Sequence, residues 1–182
     1  MSGLDMDLWP ADEAGVSLVE VIMYSALTAL VLSVLGGVFY VGTKTQGAVM
    51  SRDAATGAAQ VASNSLQASV RNASSVSVSG RVLKARVATG SGGWQCIVWA
   101  LTLDNKLVYK AGPGPITSTD YSTWAVLALG AGVGPVGPAF GPDGTGTLLS
   151  YSLAFTSGSV TVPVAGVVTA NALGPGGPES CW

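Results

Sequence analysis

Hydrophobic and polar residues follow three successive patterns along the 182 residues of this chain. Residues 16–41 form an apolar run that contains one charged residue, Glu20. After Lys44 the apolar positions recur every three to five residues, and from Val76 onward they recur every second residue. These patterns predict, in that order, a membrane-spanning helix, an amphipathic continuation of the same helix, and a β-sheet.

One continuous helix is expected to cover the first two segments, because no proline occurs between Pro10 and Pro113. We expect it to end near residues 72–75, where small polar residues cluster. Its second half needs a sheet against which to bury its apolar stripe, since an isolated helix of this kind is marginal in water. The predicted stripe consists of Met50, Ala54, Ala58, Val61, Leu66 and Val70.

The remainder of the chain predicts an antiparallel sheet, and therefore an α+β fold. Asp104 and Asn105 are typical of a tight turn between two of its strands. The segment 130–146 is dense in glycine and proline and predicts an exposed loop. Strands are expected over residues 76–87, 94–103, 106–110, 124–129, 147–155 and 160–169.

Glu20 is the residue whose chemistry is hardest to reconcile with its surroundings. A charged side chain within hydrocarbon costs several kcal/mol unless it meets a partner, and residues 16–41 contain no basic residue. Cleavage of the Gly15–Val16 bond would create an ammonium group on Val16, about one helical turn from Glu20. The segment 15–21 is therefore interpreted as a processing site together with its electrostatic partner.

The sequence Gly-Val-Ser-Leu-Val-Glu-Val at residues 15–21, followed by the apolar run, resembles the N-terminal signature of type IV pilins and of the pseudopilins of type II secretion. The resemblance implies that prepilin peptidase cuts after Gly15 and methylates Val16, and that Glu20 pairs with the N-terminal amine of a neighbouring subunit. Two features depart from the family pattern. The first mature residue is Val16 rather than the commoner Phe or Met, and the leader carries four acidic residues and no basic one.

The resemblance implies four segments: a leader over 1–15, a transmembrane and assembly helix over 16–43, its amphipathic continuation over 44–75, and an extracytoplasmic β-sheet domain over 76–182. In this arrangement the leader is cytoplasmic and the helix crosses the inner membrane once before assembly into a surface filament. Lys44 and Arg52 would favour the opposite orientation by the positive-inside rule. The Gly15 and Glu20 pairing is the more specific signal, because it is harder to obtain by chance than a weak charge bias, and the acidic residues of the leader count little in that rule.

By this resemblance the chain is expected to be a minor pilin or pseudopilin that assembles into, or primes, a type IV pilus-like filament. Its expected partners are prepilin peptidase, the membrane, and other pilin subunits that contact it through the N-terminal helix. It is expected to need no cofactor and to be no enzyme. An alternative is a filament-displayed adhesin or DNA-binding competence pseudopilin, for which Arg81, Lys84 and Arg86 offer a small basic strand. A membrane-anchored hydrolase is a third reading.

Composition narrows the chemistry further. Charged residues make up 10% of the chain, and it has no histidine and two cysteines. Ser-His and Cys-His nucleophile systems are therefore excluded, and a tetrahedral zinc site lacks ligands. In an exported domain Cys96 and Cys181 are expected to form a disulfide, with two separate thiols or pairing between chains as the alternatives.

Overall fold

A computed structural model describes residues 15–90, 92–142, 147–172 and 181–182. The predicted leader, apart from Gly15, lies outside the described residues. The chain divides into two compact units, one that ends at Thr45 and one that begins at Gln46. Helix α1, Leu18–Arg71, contributes its first part to the former unit and its second part to the latter.

In the first unit the side chains of α1 are exposed, including the large apolar ones from Leu18 to Val41. This helix is long and apolar enough to span a membrane. It ends at Arg71, just before the polar cluster suggested by the sequence. Arg71 lies in the last turn, where a cation interacts favourably with the exposed carbonyl groups of the helix end.

In the second unit α1 buries a stripe that differs from the predicted one. Ala55, Ala59 and Ala62 are buried, whereas Val61 is 52% exposed. The predicted stripe is therefore wrong by one residue over these turns and correct at Leu66 and Val70, both of which are fully buried. Over these turns the small alanine side chains face the core and the larger Val61 faces outward.

The first sheet has five antiparallel strands in the order β1-β2-β3-β4-β5. The single strand predicted over 76–87 is in fact a hairpin, with a turn at Gly80, whose φ is +58°. The predicted turn at Asp104 and Asn105 is confirmed, and Asn105 adopts the positive φ of 58° that tight turns require. The strands are β1 Ala73–Ser79, β2 Val82–Ala88, β3 Trp94–Leu101, β4 Lys106–Gly112 and β5 Ala125–Leu129.

The second sheet is built around β8, which pairs antiparallel with β6, β7 and β9. Two of these strands lie within 130–146, so the prediction that this whole segment is a loop was wrong. Gly134 lies so close to β8 that a Cβ atom there would stand 2.4 Å from Ser152 Oγ, and the glycine content therefore reflects close approach to β8 as well as turns. The strands are β6 Ala131–Val133, β7 Phe140–Pro142, β8 Leu148–Ser157 and β9 Val160–Thr169.

The main core lies where the second half of α1 packs against both sheets. Trp99 from the first sheet and Phe140 and Phe155 from the second are its largest fully buried side chains. A smaller core covers the opposite face of the first sheet. The long helix packed against antiparallel sheet is the α+β arrangement that the sequence predicts, and it is consistent with a type IV pilin-like fold.

Candidate functional site

The predicted processing and assembly residues lie together at the start of α1. Gly15, Val16 and Ser17 precede the helix, and Glu20 occupies its first turn. All four residues are exposed. Because the first backbone N–H groups of a helix have no partner within it, a carboxylate in the first turn is electrostatically favourable there.

Glu20 forms no salt bridge with any residue that the structure describes. The nearest basic residue along the helix is Lys44, whose ammonium instead lies 4.8 Å from the centre of the Tyr40 ring. The groove beside Glu20 is lined by Ser17 and by residues of the helix itself, among them Met23 and Leu27. The Glu20 carboxylate is thus exposed and is not paired with a cation of the described part of the chain.

The predicted disulfide is confirmed and lies in the sheet domain. Cys96 on β3 is bonded to Cys181 across a sequence separation of 85, with their Cα atoms 5.4 Å apart. Both residues are 2% exposed. They belong to the smaller core together with Val98, Val108 and Trp124, so the bond attaches the last described residues to the first sheet.

The acidic residues of the sheet domain that the structure describes are Asp104, in the predicted turn, and Asp120, at the start of a short 3-10 helix, Tyr121–Thr123. Lys106 Nζ lies 2.5 Å from Asp104 Oδ2, and hydrogen bonds from Lys106 and Thr102 lower the pKa of Asp104 to about 2. Ser122 donates to Asp120 Oδ1 from both its backbone N–H and its hydroxyl, which lowers the pKa of Asp120. Asp143 and Glu179 lie outside the described residues.

No group of three or more potential metal-ligating acidic, histidine or cysteine side chains occurs in the part of the chain that the structure describes. The Asp104–Lys106 pair borders an open cleft that is also lined by Leu103, Tyr121 and Val126. The Lys106 ammonium faces the Asp104 carboxylate across the turn, so the two charges compensate each other.

The basic residues proposed on one strand separate in the structure. Arg81 lies in the turn before β2, whereas Lys84 and Arg86 occupy alternate positions on β2 and so share a face. Lys110 joins that face, because Val98 pairs with Lys84 on one side and with Lys110 on the other. Sequence reasoning missed Lys110, since the pairing of β2, β3 and β4 is needed to place it there.

Exposed tryptophan side chains would also mark a ligand-binding face, and among the tryptophans that the structure describes Trp182 is exposed. Trp99 and Trp124 are buried in the two cores. Trp94 is half-buried, and its ring lies 4.8 Å from the guanidinium carbon of Arg86. Trp94 therefore stacks with Arg86 on the basic face, whereas Trp124 on the same face of the sheet is buried in the smaller core.

Comparisons with protein-family models, curated proteins and solved structures found no match to this chain. The α+β class consequently rests on the structure itself. The resemblance to pilins rests on residues 15–21 and on the apolar run that follows them.

Proposed function

We propose that this protein is a minor pilin or pseudopilin that is processed by prepilin peptidase and assembles into, or primes, a type IV pilus-like filament. In this proposal the chain first spans the cytoplasmic membrane once, with its leader inside and its sheet domain outside. The protein acts through assembly and not as an enzyme. Its partners are the peptidase and other pilin subunits, which contact it through the apolar half of α1.

The observation that carries the proposal is the position of Glu20. An acid in the first turn of a helix long and apolar enough to cross a membrane is costly unless a cation reaches it. The described chain supplies no such cation. An N-terminal amine on Val16 of a neighbouring processed subunit would neutralise the carboxylate. Because the attraction is strongest when the two groups are adjacent, it would also set the register between subunits.

Intact mass of the membrane form tests the processing step. In cells with active prepilin peptidase the protein is expected to begin at Val16 and to carry an N-terminal methyl group. In cells that lack the peptidase it is expected to retain residues 1–15. Retention of those residues in the presence of active peptidase refutes the proposed cleavage.

Assembly is tested separately with Glu20→Ala, and Asp53→Ala provides a matched control. Asp53 is also an exposed acid on α1, but it lies beyond the apolar run. Both variants are expected to insert and to be cleaved, whereas only Glu20→Ala is expected to be depleted from sheared filaments. Wild-type incorporation of Glu20→Ala contradicts the proposed role, and so does a failure of that variant to enter the membrane.

DNA binding by the same filament is a second candidate, favoured by the common face of Lys84, Arg86 and Lys110. Lys84 on β2 and Lys110 on β4 lie two strands apart, about 10 Å in a sheet, so these two cations could contact separate phosphate groups. A Lys84→Gln, Lys110→Gln double variant is expected to weaken binding of a short DNA duplex and to lessen its dependence on salt. The control is Lys106→Gln, because Lys106 is paired with Asp104. Equal binding by the double variant and its control excludes this candidate.

A further inference from the structure

We propose that Ser63, Gln67 and Tyr151 form a polar lock that fixes the position of the second sheet along helix α1. Ser63 and Gln67 are one turn apart on the part of α1 that belongs to the sheet-domain unit, and Tyr151 lies on β8. Neither periodicity nor composition singles out these three residues in the sequence. The inference is independent of the proposed function, because it concerns contacts within one unit of one chain.

The three side chains make a closed set of hydrogen bonds. The Tyr151 hydroxyl lies 2.9 Å from Ser63 Oγ, and Gln67 Nε2 donates to the Tyr151 hydroxyl at 2.9 Å. Gln67 Nε2 also donates to Ser63 Oγ at 2.9 Å. Arg71 Nη2 donates to Gln67 Oε1 at 3.4 Å, which holds the other end of the amide. Each polar group of the lock thus has a partner in a largely apolar interface.

Tyr151 is the exception in an otherwise apolar row. Its neighbours on the core-facing side of β8, Leu149 and Leu153, are fully buried, and Tyr151 itself is 4% exposed. A buried hydroxyl without a partner is costly, whereas a hydrogen-bonded one is tolerated. The hydroxyl therefore favours only those positions of the helix that bring polar side chains opposite it.

Gly166 makes this arrangement possible. It pairs with Tyr151 across β8 and β9, and a Cβ atom at Gly166 would lie 2.7 Å from the Tyr151 hydroxyl oxygen and 2.9 Å from Cζ. Tyr151 thus extends across the place that any larger residue at 166 would occupy. Glycine at 166 leaves room for the tyrosine ring rather than supplying an unusual backbone conformation, since Gly166 does not have the positive φ found at other glycines of the chain.

Apolar packing distinguishes neighbouring helix positions at Leu66 and Val70, the two larger side chains that α1 buries, but hardly at all in the turns before them. Between Ala55 and Ala62 the buried stripe consists only of alanine, so a slide of one turn replaces alanine by alanine at the interface. The same slide places Tyr151 opposite Ala59 and Ser63 in place of Ser63 and Gln67, and one hydrogen-bond partner is lost. Because hydrogen bonds weaken steeply with distance and angle while hydrophobic contact is non-directional, the polar set adds a directional preference for the observed position to the packing of Leu66 and Val70.

The position of the helix can be measured by pulsed electron paramagnetic resonance on the full chain in detergent micelles. Spin labels are attached to Gln60→Cys, on the exposed side of α1, and Ser159→Cys, in the exposed β8–β9 turn. The two native cysteines are bridged and do not compete for the label. The distance distribution is then compared between the lock variant Tyr151→Phe and the control Tyr109→Phe, since Tyr109 packs against the same core.

The unsubstituted background and Tyr109→Phe are expected to give the same narrow distribution. Tyr151→Phe is expected to broaden it and to add a population displaced by up to one helical turn, about 5.4 Å. The Ser63→Ala, Gln67→Ala double variant removes the lock from the helix side and is expected to have the same effect. Gly166→Ala is expected to do so as well, because it displaces the tyrosine ring.

Distributions that superimpose for all variants overturn the proposal, even if the lock variants melt at a lower temperature, because the hydrogen bonds would then stabilise without positioning. If Tyr151→Phe does not fold, the helix-side double variant decides. Loss of the folded state in both also overturns the proposal, since the network would then be required for folding itself and not for the choice between helix positions.

Discussion

Opening the Cys96–Cys181 bond should destabilise the sheet domain by a large and calculable amount. The bond closes a loop with a sequence separation of 85 residues. In the chain-entropy model, loss of such a cross-link lowers the free energy of unfolding by about 4 to 5 kcal/mol. For a unit of roughly 140 residues, that loss lowers Tm by about 15 °C. Because globular domains are stabilised by only about 5–15 kcal/mol, the change consumes a large share of the total.

Cys96→Ser, Cys181→Ser and the double variant should therefore show similar losses, since either substitution opens the same loop. Both cysteines are buried to the same extent, which makes the two single variants a matched pair. Thermal unfolding followed by circular dichroism measures the loss. Trp124 belongs to the same small core, so tryptophan fluorescence should report loosening of that core in all three variants.

The stability losses of the two single variants should not add. The double variant should lose little more than either single variant, because the second substitution acts on a loop that is already open. A loss in the double variant equal to the sum of the two single losses refutes this account. Two free thiols in non-reducing mass analysis of the exported protein refute it as well. Chemical reduction of the wild type provides an independent control and should reproduce the same change in Tm.

Two further predictions follow from the packing and from the electrostatics. Leu66→Ala should lower the free energy of unfolding, measured with denaturant, by about 2–5 kcal/mol, because Leu66 is fully buried between the helix and the sheets. The control Val61→Ala, at an exposed position, should change it by less than about 0.5 kcal/mol. Equal effects would contradict the observed orientation of α1. The lowered pKa of Asp104 means that its carboxylate contributes stability above pH 3.8 that is lost as the pH falls towards about 2. Asp104→Asn should remove that part of the pH dependence, measured as Tm between pH 4 and pH 2, and an unchanged profile would show that the Lys106 contact does not persist in solution.

The long helix illustrates how far local pattern extends and where it stops. Its existence, its approximate end and its apolar first part follow from residues that are near neighbours in the chain. Its buried stripe does not, because Ala54 and Ala55, like Val61 and Ala62, place apolar side chains on two adjoining faces. The sheets cover the face that carries Ala55, Ala59 and Ala62, and the residues that cover it lie far away in sequence.

The β-rich region shows the same division. Alternation predicts most strands, but over 76–87 it predicts one strand where the chain forms a hairpin, although the apolar positions change phase between Val82 and Leu83. Glycine and proline between 130 and 146 predicted a loop, although the two ends of this segment pair with β8 as β6 and β7. A short strand is stabilised largely by its partner, and its own composition is a weak guide when that partner lies elsewhere in the chain.

The apolar run, the position of Glu20 within it and the presence of two cysteines can be read from the chain alone, because charge, hydropathy and periodicity are properties of neighbouring residues. Tertiary structure alone decided that Cys96 lies beside Cys181, that Lys110 joins the face of Lys84, and that Tyr151 reaches Ser63 and Gln67. These are contacts between residues far apart in the chain. Their geometry depends on which strands pair and on how closely the helix approaches them, and a close approach such as that of Tyr151 across Gly166 is visible only once both strands are in place.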